Sequence, residues 1–473
     1  MANFAPNPEA IARVPRALAF RHDALPLNLV DGVLAVALPD PDNVEVVDAL
    51  RAATRLRVRP LPMAREAIRE NLRAAYAALS DSAHGDGSDA PAVRAVDRVF
   101  ARAIAAHASD IHIEPGAGGG RVRLRIDGLL HELDTIPSEL FAACSARVKV
   151  LAGMDVADRR QPQDGRYGIP FEQREIDARV ASVPTIGGEK LVIRLLDGYA
   201  SAPELGALGM PSAILERYRA AVHAPWGFVL ATGPTGSGKT TTLYASLAEL
   251  DTRTRNVCSV EDPVEMRLRD VSQVQVNVRA GVTFPVALRA FMRSDPNVVM
   301  VGELRDADTA AVSVSAALAG QMVFTTFHAT DAPRTIDRLI ELGVARHSLA
   351  SALTAVVAQR LVRKLCERCR VRAVIPAQLR QALSAPQETW YVAAGCRACD
   401  GTGFLGRTGV YELLSVDDAT RDAIATGASS VHVAAVAARG SYRSMREDAR
   451  AKVLDGITTY DEIVRVVSWD AIR

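Results

Sequence analysis

The run Gly233-Pro234-Thr235-Gly236-Ser237-Gly238-Lys239-Thr240 places three glycines ahead of a lysine and a hydroxyl. Glycine lets backbone N–H groups converge on phosphate oxygens with no Cβ in the way. The run follows an apolar stretch, 226–232, and precedes a stretch with helical spacing, 241–250. That is the strand–loop–helix setting in which the GxxxxGK[ST] pattern cradles phosphates. Lys239 would neutralise the β and γ phosphates, Thr240 would offer its hydroxyl to Mg²⁺, and the helix N-terminus would add a favourable dipole. Other groups with chemical potential stand at the ends of apolar runs. Residues 257–260 lead into Glu261-Asp262-Pro263, residues 297–302 into Glu303, and residues 322–327 into His328. In an α/β sheet such strand ends line one crevice, so Glu261, Glu303 and His328 are expected together beside the glycine loop. There Glu303 could polarise an attacking water or support Mg²⁺.

Four of the six cysteines form two CxxC pairs, Cys366/Cys369 and Cys396/Cys399. Four thiolates can close a tetrahedral shell around Zn²⁺ and leave no open position, so the site is expected to be structural, folding a core-poor insertion. Asp400-Gly401-Thr402-Gly403 supplies a tight turn after the second pair. Cys144 and Cys258 stand alone and read as small buried apolar residues. His107 and His112 read as packing or surface histidines.

These groups need a scaffold. The chain has 473 residues, too many for one ordinary core. Strand–helix alternation from 210 onward implies an α/β domain with a mainly parallel sheet. Before it, 92–106 and 140–154 read as helices, and 110–114, 121–126 and 176–196 as half-buried strands, the last in two runs around Gly187-Gly188. Residues 30–38 read as a strand pair, and 44–54 and 64–79 as helices. The expected organisation is an N-terminal α/β module (1–79), a linker (80–91), an α+β domain (92–198), a linker (199–209), a P-loop core (210–360), a zinc-knuckle insertion (361–410) and a helical C-terminal region (411–473). A net charge of +1 argues against a dedicated nucleic-acid binder. The cationic stretch 360–372 fits either a solvated face or a contact with acidic lipid or nucleic acid. No apolar stretch reaches the length of a membrane span, and no signal peptide is evident, so a cytoplasmic location is expected.

The segments PTGSGKTTTLYA, VEDPVE, RSDPNVVMVGELRD and TTFHATDAPRTIDRL, in that order, resemble the type II secretion and type IV pilus ATPases. In that family they are the Walker A, Asp box, Walker B and His box. ASDIHIEP, LRIDG, QPQDGR and VPTIGGEKLVIRLL resemble its second, PAS-like α+β domain. VAQRLVRKLCERC and GCRACDGTGFLGRTGVYELL resemble its C-terminal region with a metal-bound tetracysteine motif. The resemblance implies a RecA-like ATPase that takes ATP, Mg²⁺ and Zn²⁺ and works as a homo-hexamer. It implies a peripheral position at the inner membrane, held by the cytoplasmic domain of a platform protein. It carries nucleotide binding onto Gly233 to Thr241, catalysis onto Glu303, metal proximity onto Glu261 and Asp262, and γ-phosphate sensing onto His328. Arg179 and Arg194 match arginines placed over the nucleotide as domains close. Arg289, Arg293, Arg305 and Arg407 match others near the site or at subunit contacts. The chain departs from the family at Gly320-Gln321, commonly Gly-His, and in 325–332, which puts fine tuning of nucleotide sensing in question. Type II secretion is the machine expected first and pilus assembly second. A nucleic-acid translocase is the reading from another class.

Overall fold

The computed structural model describes residues 7–14, 18–19, 22–30, 32–54, 56–65, 67–68, 71–72, 91–171, 174–196 and 202–467. The expected linker at 80–90, most of the expected helix 64–79 and residues 199–201 of the second linker lie outside them. Among the described residues no helix is long and apolar enough to cross a membrane.

The first unit is a three-stranded sheet of β1 (Leu25–Val30), β2 (Val33–Leu38) and β3 (Arg57–Pro62). β1 and β2 pair antiparallel around Gly32, and β3 returns parallel to β2 after the helix Val44–Thr54. The second unit is a six-stranded antiparallel sheet in the order β6-β5-β4-β9-β8-β7. Its strands are β4 (Asp110–Gly116), β5 (Gly119–Ile126), β6 (Leu129–Pro137), β7 (Gln163–Phe171), β8 (Arg174–Thr185) and β9 (Gly188–Leu196). One face packs on the helices Pro91–Ala105 and Ser138–Leu151. Val96, Val99, Phe100 and Ala103 form the apolar stripe of the first, against Ile111, Ile113, Leu191 and Ile193. β5 and β6 turn through Asp127 (φ 49°) and Gly128 (φ 88°), the paired left-handed residues that a two-residue hairpin requires.

The third unit holds the glycine loop. Its seven-stranded sheet runs β12-β11-β13-β14-β10-β15-β18. The strands are β10 (Gly227–Thr232), β11 (Val257–Glu261), β12 (Ser272–Gln275), β13 (Val298–Val301), β14 (Met322–Phe327), β15 (Leu353–Leu365) and β18 (Phe404–Ser415). All pairs are parallel except β15 with β18. The four central strands β10, β11, β13 and β14 are buried along their whole length, as a sheet covered on both faces demands.

Two sequence boundaries give way here. β15 crosses the expected boundary at 360/361, and β18 crosses the one at 410/411, so residues 411–415 are strand and not helix. Between the two strands, β16 (Val371–Val374) and β17 (Thr389–Val392) form a small sheet with the cysteines. This insertion is not core-poor: Ile375, Leu383 and Trp390 are buried in the apolar cluster shared with the ATPase sheet. After β18 come, among the described residues, four helices, Asp418–Ala425, Ser430–Ala438, Met445–Leu454 and Tyr460–Val466.

The last helix is fastened to β15 by Glu462. Its buried carboxylate accepts from Arg363 Nη2 (2.8 Å) and backbone N (3.0 Å) and from Arg465 Nη2 (2.8 Å). Burial alone would raise its pKa, but the donors Arg363 and Arg465 outweigh it and hold the carboxyl at about 2. A depressed folded-state pKa adds stability above the unfolded value, and this is lost as pH falls from about 4.5 toward 2. The linkage is on the order of 3 kcal/mol. Glu462→Gln is expected to lower the melting temperature at pH 7, with the gap to wild type closing between pH 4.5 and 2 in thermal scans.

Candidate nucleotide site

β10 is buried and carries the glycine loop at its C-terminal end, and the helix Lys239–Ala248 leaves from that loop. The loop needs glycine for two reasons. Gly233 (φ +150°) is packed so that a Cβ would lie 2.6 Å from both the Gln359 carbonyl and Ser237 Oγ, and Gly238 is left-handed at φ +87°. Pro234, Thr235 and Gly236 are exposed at the loop's crest. Ser237 Oγ is buried with no hydrogen-bond partner, packed beside Gly233. Lys239 Nζ donates to the carbonyls of Gly233 (2.9 Å) and Pro234 (3.0 Å). Burial lowers its pKa to about 8, against the pull of Glu303 and with repulsion from Arg360. Thr240 is half-buried and Thr241 exposed in the first helical turn.

Glu303 follows β13 and His328 follows β14, and adjacency in the sheet brings them together: His328 Nε2 lies 3.8 Å from Glu303 Oε2. Arg305 clasps Glu303 with one nitrogen and reaches Asp262 at 3.4 Å with the other. The His328 side chain is half exposed, and partial desolvation, then Lys239, lower its pKa against the opposing pull of Glu303. The strand ends are tied to one another. Thr232 Oγ1 accepts from the Ala329 N–H (3.1 Å), and Thr326 Oγ1 donates to the Gly302 carbonyl (2.7 Å). Next to the loop, a cavity of about 550 Å³ is walled by Gly233, Pro234, His328, Thr330, Arg334 and Arg360.

Glu261 departs from expectation. It does not share the crevice with Glu303 and His328 but turns into the core. There it accepts from Tyr244, from Ser259 Oγ (2.5 Å) and from Gln273 Nε2 (3.1 Å). Three internal donors compensate its burial, and Asp262 takes the exposed position instead. The remaining arginines scatter. Arg289 pairs with Asp308 at 2.5 Å, and Arg293 caps the Arg289 carbonyl. Arg407 reaches Asp127 of the second domain at 3.5 Å, beside a 2.9 Å bond from the Gly406 N–H to the same carboxylate. Arg194 Nε donates to Asp110 (3.2 Å). Arg179 lines an interdomain cleft with Glu265, not the cavity beside the loop. Burial and then Arg166 lower the Arg179 pKa, against Asp177 and Glu265.

The four paired cysteines converge, with all four Sγ atoms within 4.8 Å of one another and none in a disulfide. The N–H groups of Cys396 and Gly403 both point at Cys399 Sγ from 3.2 Å. Burial opposes ionisation of that thiol, but these two amides and the neighbouring thiols bring it down to about 6. Asp400 (φ 47°) and Gly401 (φ 77°) make the turn. The donor set suits a soft, tetrahedral ion. Cys144 and Cys258 are buried, and burial raises both thiols. His112 is buried with neither ring nitrogen bonded.

Residues 86–465 match the family model described as "Type II/IV secretion system protein", and residues 2–81 match the MshEN domain. The chain belongs to the type II/IV secretion ATPase family. As a member it is an ATP hydrolase. Relatives fall on both sides of that family. The type IV pilus assembly ATPase PilB of Myxococcus xanthus is 37% identical over 98% of this chain and 87% of its own length. The type II secretion system protein HxcR of Pseudomonas aeruginosa is 44% identical over 80% of this chain and 77% of its own. Among solved structures, the pilus retraction motor PilT with bound ADP superposes with TM-score 0.55 at 25% identity, covering 78% of this chain and 96% of PilT.

One residue of the ATPase site escaped sequence reasoning. Gln359 is a lone amide in the apolar run of β15, and it is 1% exposed. Its Nε2 donates to the Ser237 carbonyl (2.7 Å) and its Oε1 accepts from Thr242 Oγ1 (2.9 Å). It props the glycine loop from outside. Gln359→Leu would leave two buried groups unpaired, a cost of roughly 1–3 kcal/mol, and is expected to raise KM for ATP about tenfold with a smaller change in kcat. Steady-state ATPase assays check this.

Proposed function

We propose that this chain is a homo-hexameric, Mg²⁺-dependent motor that couples ATP hydrolysis to the building of a pilin-type filament. A platform protein would hold it at the inner membrane. The observation that carries the reading is the meeting of the glycine loop with Glu303, Arg305 and His328 at adjacent strand ends.

The residues have distinct tasks. The loop N–H groups and Lys239 bind the β and γ phosphates, and Ser237 Oγ is free to join them. Thr240 and Asp262 would hold Mg²⁺, which would neutralise charge on the phosphate oxygens. Glu303 orients the attacking water and accepts its proton, with Arg305 holding the carboxylate in place. The neutral His328 donates a hydrogen bond toward the γ phosphate. Arg179 and Arg194 belong to the second domain and reach the triphosphate when the two domains close, which ties hydrolysis to motion. Cys366, Cys369, Cys396 and Cys399 would hold Zn²⁺, which would serve as a structural cross-link between β15 and β18.

Type II secretion is the first machine to consider, supported by 44% identity to HxcR. Pilus assembly is supported by a different observation: the PilB relative aligns with 98% of this chain, the N-terminal unit included. Deleting the gene and restoring wild type or Glu303→Gln, with secreted enzymes and surface pili assayed together, distinguishes them. Lost secretion with normal pili means a secretion motor; lost pili with normal secretion means a pilus motor. Glu303→Gln is expected to bind ATP normally, with kcat lowered 100-fold or more, on the order of 3 kcal/mol. Cys396→Ser is expected to release zinc, measured by a chromophoric chelator, and to lower the melting temperature by several degrees.

A further inference from the structure

The sheet face of the second domain that points away from its two helices carries a row of charges running straight across five strands. The register pairs Arg166 with Arg179, Arg179 with Arg194, Arg194 with Asp110, and Asp110 with Arg125. Directly opposed residues on neighbouring strands have Cβ atoms about 5 Å apart, and like charges there work against the fold. Four cations share one carboxylate, and that carboxylate is already used: Asp110 is engaged by Arg194 at 3.2 Å, Arg125 at 3.4 Å and the Ser109 hydroxyl at 2.8 Å. The deficit falls at the other end. Among the described residues no carboxylate comes within ion-pairing distance of Arg166 or Arg179, and Arg179 Nε is buried without a hydrogen-bond partner.

The three arginines are not simply spread into solvent. Together with Asp164, Ala181 and Val192 they line a hollow of about 440 Å³. Arg166 and Arg179 also line the cleft of about 770 Å³ whose far wall is Glu265, Met266 and Gln273 of the ATPase unit. A planar guanidinium offers paired donors that match phosphate oxygens, and three in a row match an anion carrying several charges on adjacent tetrahedral groups.

We propose that Arg166 is the third arm of a polyphosphate clamp, Arg166–Arg179–Arg194, that takes the γ-phosphate end of a nucleoside triphosphate. Asp110 acts as the positioning residue that keeps Arg194 in the row. This rests on the reading above in which Arg179 and Arg194 reach the nucleotide.

The test titrates the full chain with a fluorescent ATP and the matching ADP, for wild type, Arg166→Gln, Arg166→Lys and Arg179→Gln. Arg166→Gln is expected to weaken ATP about tenfold and ADP less than twofold, with Arg166→Lys in between. Without ligand its melting temperature is expected to equal or exceed that of wild type, since a repulsion is relieved. If Arg179→Gln discriminates ATP from ADP but Arg166→Gln does not, the third arm is wrong and the reading of the face stands. If neither variant discriminates, that reading falls too. Equal loosening of ATP and ADP by Arg166→Gln, or a lower melting temperature, would make Arg166 a structural residue and overturn the proposal.

Discussion

A phosphate-binding loop cannot satisfy its own backbone. Within 233–238 the backbone closes on itself at the Ser237 N–H, which donates to the Pro234 carbonyl at 3.3 Å, and something outside must hold the rest of the loop open. Here the outside support is β15. Gln359 bonds the loop's middle and the first turn of the following helix, and its carbonyl packs against Gly233 so tightly that no side chain fits there. Much of the surrounding structure follows from this. β15 must lie beside β10, must be buried, and must be stiff. Its parallel pairing with β10 and long antiparallel pairing with β18 provide all three.

The charges around the loop are arranged by the same economy of position. Glu303 sits beside Arg305 and His328 and near Lys239, so the carboxylate is steadied by two cations that it steadies in turn. A neutral His328 is then consistent with its surroundings: another positive charge would be pressed against Lys239 and Arg305. Glu261 shows the opposite solution. One residue before Asp262, it is drawn inward because Tyr244, Ser259 and Gln273 offer donors that water cannot supply at that depth.

The four central strands were legible, while the interior strand β15 and most edge strands were not. The runs ending at Thr232, Glu261, Val301 and Phe327 are continuously apolar and short, and each forms a central strand. β6, β7 and β12 lie at sheet edges, where one side faces solvent and the apolar signal thins out. β7 even carries Gly165, Gly168 and Pro170, which an edge tolerates and a central strand does not. β18 is also an edge strand, hidden behind a helical tail that follows it directly. The same physics explains the site. The glycine loop and the cysteine pairs are local patterns readable from spacing. The direction taken by the Glu261 side chain, the prop from Gln359 and the row of arginines depend on residues up to 122 positions apart in sequence, and only the sheet register brings these together.

The contact between Asp127 and the Gly406–Arg407 segment has a kinetic meaning. Among the described residues no element of the second domain packs extensively on the ATPase unit, and this half-buried contact joins the two by one ion pair and one amide hydrogen bond. A partly exposed ion pair contributes about 1 kcal/mol or less, comparable with thermal energy. Breaking it therefore adds little to any barrier that opposes separation of the two domains.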